Sequence, residues 1–123
     1  MALPQHLKTG YRGEQLAARY LREKGYTVVA ANFASSFGET DIIAEAPGDG
    51  AILCFVEVKT RSPGALLPPR EAVDKDKRRR LENSAAAYMK YKKIRERKYR
   101  FDIIEVILHD LTHADINHIE NAF

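Results

Sequence analysis

The stretch GETDIIAEAPGDGAILCFVEVK, residues 38–59, decides the fold of this chain, because it contains two apolar segments joined by a strong turn signal. Residues 38–46 and 51–59 have the composition of β-strands, and the sequence PGDG at 47–50 predicts a hairpin between them. The second strand is almost continuously apolar until Glu57, which is typical of a central strand covered on both faces. A carboxylate in such a strand is costly unless it is paired or binds a metal ion.

Helical periodicity predicts two helices around this hairpin, and β-branched or alternating patterns predict further strands. The predicted elements are a helix at 9–24, a strand at 26–32, a loop at 33–37, a helix at 70–92, a strand at 99–108 and a short strand at 114–119. The second helix is expected to be the longest. This order predicts an α/β fold, a mixed β-sheet flanked by helices.

Length and composition predict one compact domain over residues 1–123, with an ordered core from about 9 to 120. With 45% hydrophobic residues, the chain is too apolar to be disordered, and its net charge of +3 favours an anionic partner only weakly. The single cysteine, Cys54, lies in an apolar run and is expected to be a buried small hydrophobe. The sequence shows no long apolar stretch or signal-peptide core, so we expect a cytoplasmic protein that does not enter a membrane.

Asp41 in the first strand of the hairpin and Glu57 in the second predict a site for Mg²⁺ or Mn²⁺. Phosphodiester hydrolysis needs charge neutralisation at the phosphate, an aligned water and a stabilised leaving oxygen, and a carboxylate-bound metal ion supplies all three. Mg²⁺ keeps several waters, so two carboxylates and the Val58 carbonyl would suffice as protein ligands. Lys59 shares a strand face with Glu57 and is expected to orient the attacking water or contact the phosphate. The alternative is a solvated Glu57–Lys59 ion pair, but the apolar surroundings of Glu57 favour a functional site.

Basic residues concentrate in the second predicted helix, from Lys75 to Arg80. Such a run suits phosphate contacts beside a metal site, although basic helices are more often solvated faces. Helical spacing favours Lys77 and Arg80 as the main phosphate contacts, and Arg78 and Arg61 complete the predicted nucleic-acid-binding set.

Other polar and aromatic residues have structural interpretations. The histidines His109, His113 and His118 are expected to lie on a surface loop rather than to bind a metal ion. The tyrosines are expected to pack in the core or on the surface rather than to stack on bases. Glu39 and Asp102 are expected to remain outside the set of metal ligands.

Six short motifs occur in order along most of the chain: Gly13-Glu14, GETDII at 38–43, FVEVKTR at 55–61, Glu71-Ala72-Val73 with Lys77, Arg79-Arg80-Leu81 and Arg100-Phe101-Asp102. Together they resemble the YraN-like family of uncharacterised bacterial proteins. That family is grouped with the PD-(D/E)xK restriction-endonuclease-like and Holliday-junction-resolvase-like nucleases.

The resemblance implies a restriction-endonuclease-like core and a catalytic set. Asp41 matches the acidic residue of the second strand of that superfamily, and Glu57 and Lys59 match the ExK pair of the third strand. Glu14 matches the acidic residue of the first helix, which makes it an outer metal ligand or water-holding residue rather than a simple electrostatic support for the helix. Thr40 replaces a commonly aliphatic residue and is expected to point away from Asp41.

The expected function is that of a Mg²⁺- or Mn²⁺-dependent endonuclease acting on DNA, such as branched or repair intermediates, with RNA left open. The alternative is a non-catalytic nucleic-acid-binding module that retains the nuclease fold. A third interpretation is a scaffold whose basic face binds an acidic partner. Symmetric cleavage of two strands generally needs a dimer, so a homodimer is also left open.

Overall fold

The computed structural model describes residues 5–48, 51–64, 73–110 and 112–123. In chain order, these residues form α1 (Gln5–Glu23), β1 (Thr27–Ser35), β2 (Gly38–Glu45), β3 (Leu53–Arg61), α2 (Lys75–Tyr91), β4 (Tyr99–Leu108) and β5 (Ala114–Ile119). The strands form one mixed sheet in the order β1-β2-β3-β4-β5. Only β3 and β4 run parallel, and the other neighbouring pairs are antiparallel. The predicted α/β fold, a mixed sheet flanked by helices, is confirmed.

β3 lies at the centre of the sheet and is buried on both faces, as its apolar sequence predicts. On one face, Cys54 and Val56 belong to a core that packs against α1. On the other face, Leu53 and Phe55 belong to a second core that packs against α2. A fully buried side chain of this size stabilises the fold by about 1.5–3 kcal/mol. The parallel pairing of β3 with β4 requires a crossover connection, and α2 lies within it.

α1 is amphipathic and covers the first core, where Ala17 and Leu21 are fully buried. Its end is set by Gly25, which adopts a left-handed backbone with φ +92°. The N–H of Gly25 donates to the Arg22 carbonyl at 3.0 Å, and the N–H of Tyr26 donates to the Leu21 carbonyl at 2.9 Å. This pair of bonds is the Schellman arrangement that glycine favours at a helix end.

α2 begins after Asp74, whose carboxylate accepts a hydrogen bond from the Lys77 N–H at 2.9 Å. Such an N-cap contributes about 1 kcal/mol to helix stability. Leu81, Ala85 and Tyr88 form its buried apolar face over the sheet. The cap therefore determines where the first turn of α2, with Lys77, lies above β3.

Several bounds differ from those predicted. α1 has 19 residues and α2 has 17, so the expectation that the second helix is the longest is wrong. β1 continues to Ser35 through the predicted loop at 33–37, because Phe33 packs edge-to-face on Tyr88 and joins the second core. β3 begins at Leu53 and continues to Arg61.

β4 and β5 have the predicted bounds. Residues 49–50 of the predicted turn and 70–72 of the predicted second helix lie outside the described residues. Within the described residues, no helix is both long and apolar enough to span a lipid bilayer.

Candidate active site

The pairing of β2 with β3 ends next to Asp41. The last registered pair between the two strands is Ile42 with Val56. Beyond it, the Val58 N–H donates to Asp41 Oδ2 at 2.8 Å, so that a side-chain carboxylate replaces the next main-chain acceptor. In a β-strand the N–H and C=O of one residue point to the same neighbour, so the Val58 carbonyl also points toward β2, beyond the last registered pair. Asp41 and the Val58 main chain, two of the predicted ligand positions, thus lie at the end of the β2–β3 pairing.

Glu57 is a buried carboxylate held between two lysines. Its side chain is 5% exposed, and it lies on the α2 face of β3, like Phe55 two residues earlier. Glu57 Oε1 is 3.2 Å from Lys77 Nζ and 3.6 Å from Lys59 Nζ. Lys59 reaches it along the same strand, as predicted, whereas Lys77 reaches it from the first turn of α2. Removing one partner of such a buried pair is costly, because the remaining charge is left uncompensated.

Burial and neighbouring charge raise the pKa of Asp41 to about 7, from an ordinary value of 3.8. Burial is the largest cause, and the negative charges of Glu57 and Glu14 act in the same direction. The Val58 N–H and the Lys77 ammonium oppose the shift without cancelling it. A carboxyl whose pKa is displaced by burial and a second carboxylate is typical of a functional site.

Glu14 reaches this region because α1 passes close to β3. A Cβ at Gly13 would overlap the Thr60 side chain, so a larger residue there would require Thr60 to move. Burial raises the pKa of Glu14, a hydrogen bond with the Asn32 side chain lowers it, and the charges of Glu57 and Glu39 raise it further. Asn32 has a left-handed backbone with φ +51° in β1. No sequence pattern singled out Asn32, since a lone asparagine in a strand carries no spacing signal.

Within the described ranges, no group of three or more His, Cys, Asp or Glu side chains lies close enough to hold a metal ion. The predicted acidic residues Glu14, Asp41 and Glu57 therefore do not form a three-carboxylate metal cage, although their charges influence one another. Thr40 is fully buried and hydrogen-bonds the Ser84 hydroxyl of α2 at 2.9 Å. This bond ties β2 to α2 directly beside Asp41.

The four predicted nucleic-acid contacts occupy different environments. Lys77 and Arg80 line one surface groove of about 360 Å³, and Lys77 also pairs with Glu57. Arg78 donates to the Val73 carbonyl at 3.2 Å, and its guanidinium lies 5.1 Å from the centre of the Phe123 ring. Arg61 is largely buried and lies 3.4 Å from Glu105, so its charge is already neutralised within the fold.

Two of the three histidines behave as predicted. His109 and His113 are exposed and contact the nearby carboxylates of Asp115 and Asp110. The prediction for His118 is wrong, because it lies in β5 with a side chain only 6% exposed. The alternating pattern of a short strand turns His118 inward, toward the neighbouring β4.

His118 belongs to a buried polar network around Asp102. His118 Nε2 lies 2.7 Å from Asp102 Oδ2, and the Arg100 guanidinium and the Asn121 N–H donate to the same carboxylate. Burial alone would raise the pKa of Asp102, but these hydrogen bonds hold it below its ordinary value. Asp102 is thus engaged by its neighbours in the fold. Cys54 is buried as predicted, and burial raises the pKa of its thiol to about 12.

Fold and site together define an α/β protein with a cluster of carboxylates and lysines where two central strands separate. The chain belongs to the uncharacterised protein family UPF0102, whose model matches residues 13–106. This confirms the resemblance to the YraN-like bacterial family. The matched range contains Glu14, Asp41, Glu57 and the lysines that contact Glu57.

Similar proteins extend over nearly the full chain. A UPF0102 protein of Pelobacter propionicus is 38% identical over 122 residues, covering 99% of this chain and 86% of the relative. A UPF0102 protein of Koribacter versatilis is 43% identical over 98% of this chain and 82% of its own length. One from Alkaliphilus oremlandii is 43% identical over 94% of this chain and 97% of its own length. These names describe the family and state no activity.

Proposed function

We propose that this protein is a metal-dependent phosphodiester hydrolase, an endonuclease that acts on DNA such as branched or repair intermediates. The observation that carries the proposal is that Asp41 hydrogen-bonds the Val58 N–H where the β2–β3 pairing ends. The adjacent residue Glu57 raises the pKa of Asp41 and contacts Lys59 and Lys77. Carboxylates at the separating ends of two strands, with a lysine two residues after one of them, combine ligands and a phosphate-directed cation in one place.

The donor set fits Mg²⁺ or Mn²⁺. Burial and the Glu57 charge raise the pKa of Asp41 to about 7, and a divalent cation bound by the two carboxylates would relieve this repulsion. Asp41, Glu57 and the Val58 carbonyl supply hard oxygen ligands, which both ions prefer. When bound, such an ion would neutralise charge on the scissile phosphate and lower the pKa of a coordinated water.

The side chains around these ligands have separate tasks in the proposed reaction. Lys59 donates hydrogen bonds to the phosphate or to the attacking water, from the same strand face as Glu57. Lys77 exchanges its contact with Glu57 for a phosphate oxygen when substrate binds. Glu14 holds a water molecule, with the Asn32 side chain orienting the carboxylate. Arg80, exposed beside Lys77, contacts a neighbouring phosphate.

The proposal extends to the cell and to assembly. A single buried cysteine suits a reducing cytoplasm, where we expect the protein to act. Symmetric cutting of both strands of a branched substrate would require a homodimer. RNA remains a substrate to be tested beside DNA.

A second candidate is a non-catalytic nucleic-acid-binding module with the same fold. It is favoured by the contacts of Lys77 and Lys59 with Glu57, because these lysines already neutralise the carboxylate that would otherwise bind a metal ion. Under this proposal the cluster holds α2 on the sheet, and the basic surface alone binds nucleic acid.

Cleavage and metal binding distinguish the two candidates. Purified protein is incubated with branched, duplex and single-stranded DNA and with RNA, in the presence of Mg²⁺, Mn²⁺ or EDTA. We expect metal-dependent cleavage that is lost in Asp41→Asn and Glu57→Gln but retained in Glu23→Gln, an exposed carboxylate paired with Arg19. Absence of cleavage and of Mn²⁺ binding by calorimetry contradicts the enzyme. Salt-dependent DNA binding that survives Asp41→Ala and Glu57→Ala would then support the binding module.

A further inference from the structure

Two large aromatic side chains stand exposed on one side of α2. Phe37, at the turn between β1 and β2, is 66% exposed, and Tyr91, at the end of α2, is 74% exposed. Both line the same surface groove of about 740 Å³. The remaining residues of this groove are Asn83, Ala86, Ala87 and Lys90. The groove thus has a mainly apolar floor with a lysine at its side.

Phe37 also lines the groove of about 360 Å³ that contains Lys77 and Arg80. The two grooves therefore adjoin at Phe37, and together we call them the α2 groove. Ser35, Ser36 and Glu39 contribute polar groups near its Lys77 end. Since Lys77 contacts Glu57, the α2 groove extends from the candidate active site toward the end of the helix.

Local hydrogen bonds hold Phe37 in its exposed position. The Phe37 N–H donates to Ser35 Oγ at 3.2 Å, and the Ser35 hydroxyl donates to the Gly38 carbonyl at 3.1 Å. Gly38 has φ +154°, and a Cβ there would lie 2.6 Å from the Arg80 carbonyl oxygen. Glycine therefore lets the turn pack directly against α2. The aromatic ring is presented by a constrained turn, which reduces the entropy lost on binding a partner.

The charges of the α2 groove suit an anionic partner. Lys77, Arg80 and Lys90 line it, with Glu39 as the acidic lining residue. Within the described residues, neither Arg80 nor Lys90 has an ion-pair partner. Alternating cations and aromatic rings are the surface on which single-stranded nucleic acids bind, with phosphates on the cations and bases stacked on the rings. The paired bases of a duplex are stacked on each other and do not offer their faces to such rings.

We infer that the α2 groove binds a single-stranded segment of nucleic acid, with unpaired bases stacked on Phe37 and Tyr91 and phosphates on Arg80 and Lys90. The inference rests on the proposed function in taking nucleic acid as the partner, and it specifies unpaired nucleotides as the substrate feature. The bound strand leads past Lys77 to the Glu57 carboxylate. Branched intermediates with unpaired nucleotides at the junction fit this path.

The absence of tryptophan from the sequence provides a direct test of stacking. Phe37→Trp introduces a single tryptophan in the α2 groove, and Tyr99→Trp introduces one at an exposed site lining a different groove. Each variant is titrated in EDTA with an oligothymidylate of about 12 nucleotides, a length within the site sizes of single-strand binders. We expect fluorescence quenching in Phe37→Trp and none in Tyr99→Trp. A duplex of the same length should quench Phe37→Trp less.

Affinity measurements by fluorescence anisotropy complete the test. Phe37→Leu and Tyr91→Leu should each weaken binding of the oligothymidylate about tenfold, whereas Phe37→Tyr should retain it. Arg80→Ala should weaken binding and reduce its salt dependence. Arg79→Ala is the matched control, since Arg79 pairs with Asp76 and lines neither groove.

The inference is overturned if Phe37→Trp is not quenched, or if the leucine variants bind the oligothymidylate as tightly as the unsubstituted protein. Tighter binding of polyglutamate than of the oligothymidylate would overturn it in favour of an acidic protein partner. Its failure is distinct from that of the proposed function. Stacking on Phe37 without metal binding or cleavage supports the inference and removes the enzyme, whereas cleavage that is unaffected by Phe37→Leu and Tyr91→Leu removes the inference and leaves the enzyme.

Discussion

Two carboxylates, Asp41 and Asp102, lie on the strands that flank β3 on either side, and the directions of their pKa shifts are opposite. Asp102 of β4 accepts hydrogen bonds from Arg100, His118 and the Asn121 N–H, which hold its pKa below its ordinary value despite burial. Asp41 of β2 accepts one from the Val58 N–H and lies near Glu57, and burial together with that charge raises its pKa to about 7.

This difference indicates that Asp102 stabilises the fold, whereas Asp41 is a candidate ligand for a cation. The partners of Asp102 within the fold balance its charge and donate hydrogen bonds to it. Around Asp41, burial first and the charge of Glu57 second disfavour ionisation, which a bound cation would favour. Burial alone does not distinguish the two sites, whereas the direction of the pKa shift does.

The largest expected effect on stability comes from substituting Asp102. Asp102→Ala should lower the free energy of unfolding by about 3–5 kcal/mol, because Arg100 and His118 lose their buried counter-charge. Chemical denaturation followed by circular dichroism measures it. Asp115→Ala removes an exposed carboxylate bonded to His109 and should cost under about 1 kcal/mol. Equal losses in the two variants would contradict the assignment of Asp102 to the fold.

Binding of a metal ion at Asp41 and Glu57 should stabilise the folded protein. Mn²⁺ at 100 times its dissociation constant should raise the free energy of unfolding by about 2.7 kcal/mol. Because the proposed ion would bind ionised Asp41, whose pKa is raised to about 7, its affinity should be higher at pH 8 than at pH 6. Thermal unfolding and calorimetric titration measure the two effects. Both should vanish in Asp41→Asn and persist in Glu23→Gln, and stabilisation retained in Asp41→Asn would place the ion elsewhere.

Without metal, the stability should fall as the pH rises from 5 to 8. Burial raises the pKa of folded Asp41 to about 7 from 3.8, so the folded protein binds more protons than the unfolded chain between these values. The associated stability is present below pH 3.8 and is lost as the pH rises through 7. We expect the free energy of unfolding, measured in EDTA, to be about 1–3 kcal/mol lower at pH 8 than at pH 5.

The Asp41→Asn variant is the control for this pH dependence. It should lose most of the difference between pH 5 and pH 8, because asparagine does not titrate. Hydrogen bonds lower the pKa of Asp102, so its contribution is present above pH 3.8 and is lost only as the pH falls below that value. An unchanged profile in Asp41→Asn would mean that another group causes the dependence.

The smallest expected effect comes from the helix cap that positions Lys77. Asp74→Ala should lower the free energy of unfolding by about 1 kcal/mol, because the Lys77 N–H loses its acceptor. Asp76→Ala is the matched control on the same helical turn, where an exposed carboxylate pairs with Arg79. Denaturant unfolding of both variants measures the difference. A larger loss in Asp76→Ala would contradict the role of Asp74 as the cap.

The sequence predicts most of the sheet because strand patterns are local. Alternation and β-branched residues gave the bounds of β4 and β5, and the apolar run before Glu57 correctly indicated a central strand. The local sequence did not predict that β1 continues to Ser35, because this extension depends on the contact of Phe33 with the distant Tyr88. The inward orientation of His118 was missed for the same reason, because its partner Asp102 lies 16 residues away on β4.

In the candidate site, too, local contacts were predictable from the sequence and contacts between distant elements were not. Spacing along one strand placed Lys59 on the face of Glu57, and the turn signal brought Asp41 to the neighbouring strand. No spacing rule connects Lys77 with Glu57, and Lys77 was predicted to bind phosphate rather than a carboxylate. Its position depends on the Asp74 cap and on the packing of α2 over the second core.

By itself, the sequence determined the strands, the helices and the acidic residues that occupy the central hairpin, since these depend on side-chain periodicity and on turn residues close in the chain. Only the tertiary structure decided which carboxylates are balanced by partners and which are not. That balance depends on groups brought together from separate elements, such as His118 at Asp102 and Lys77 at Glu57. Tertiary packing therefore gives Asp102 and Glu57 cationic partners, whereas Asp41 keeps a raised pKa and marks the candidate site.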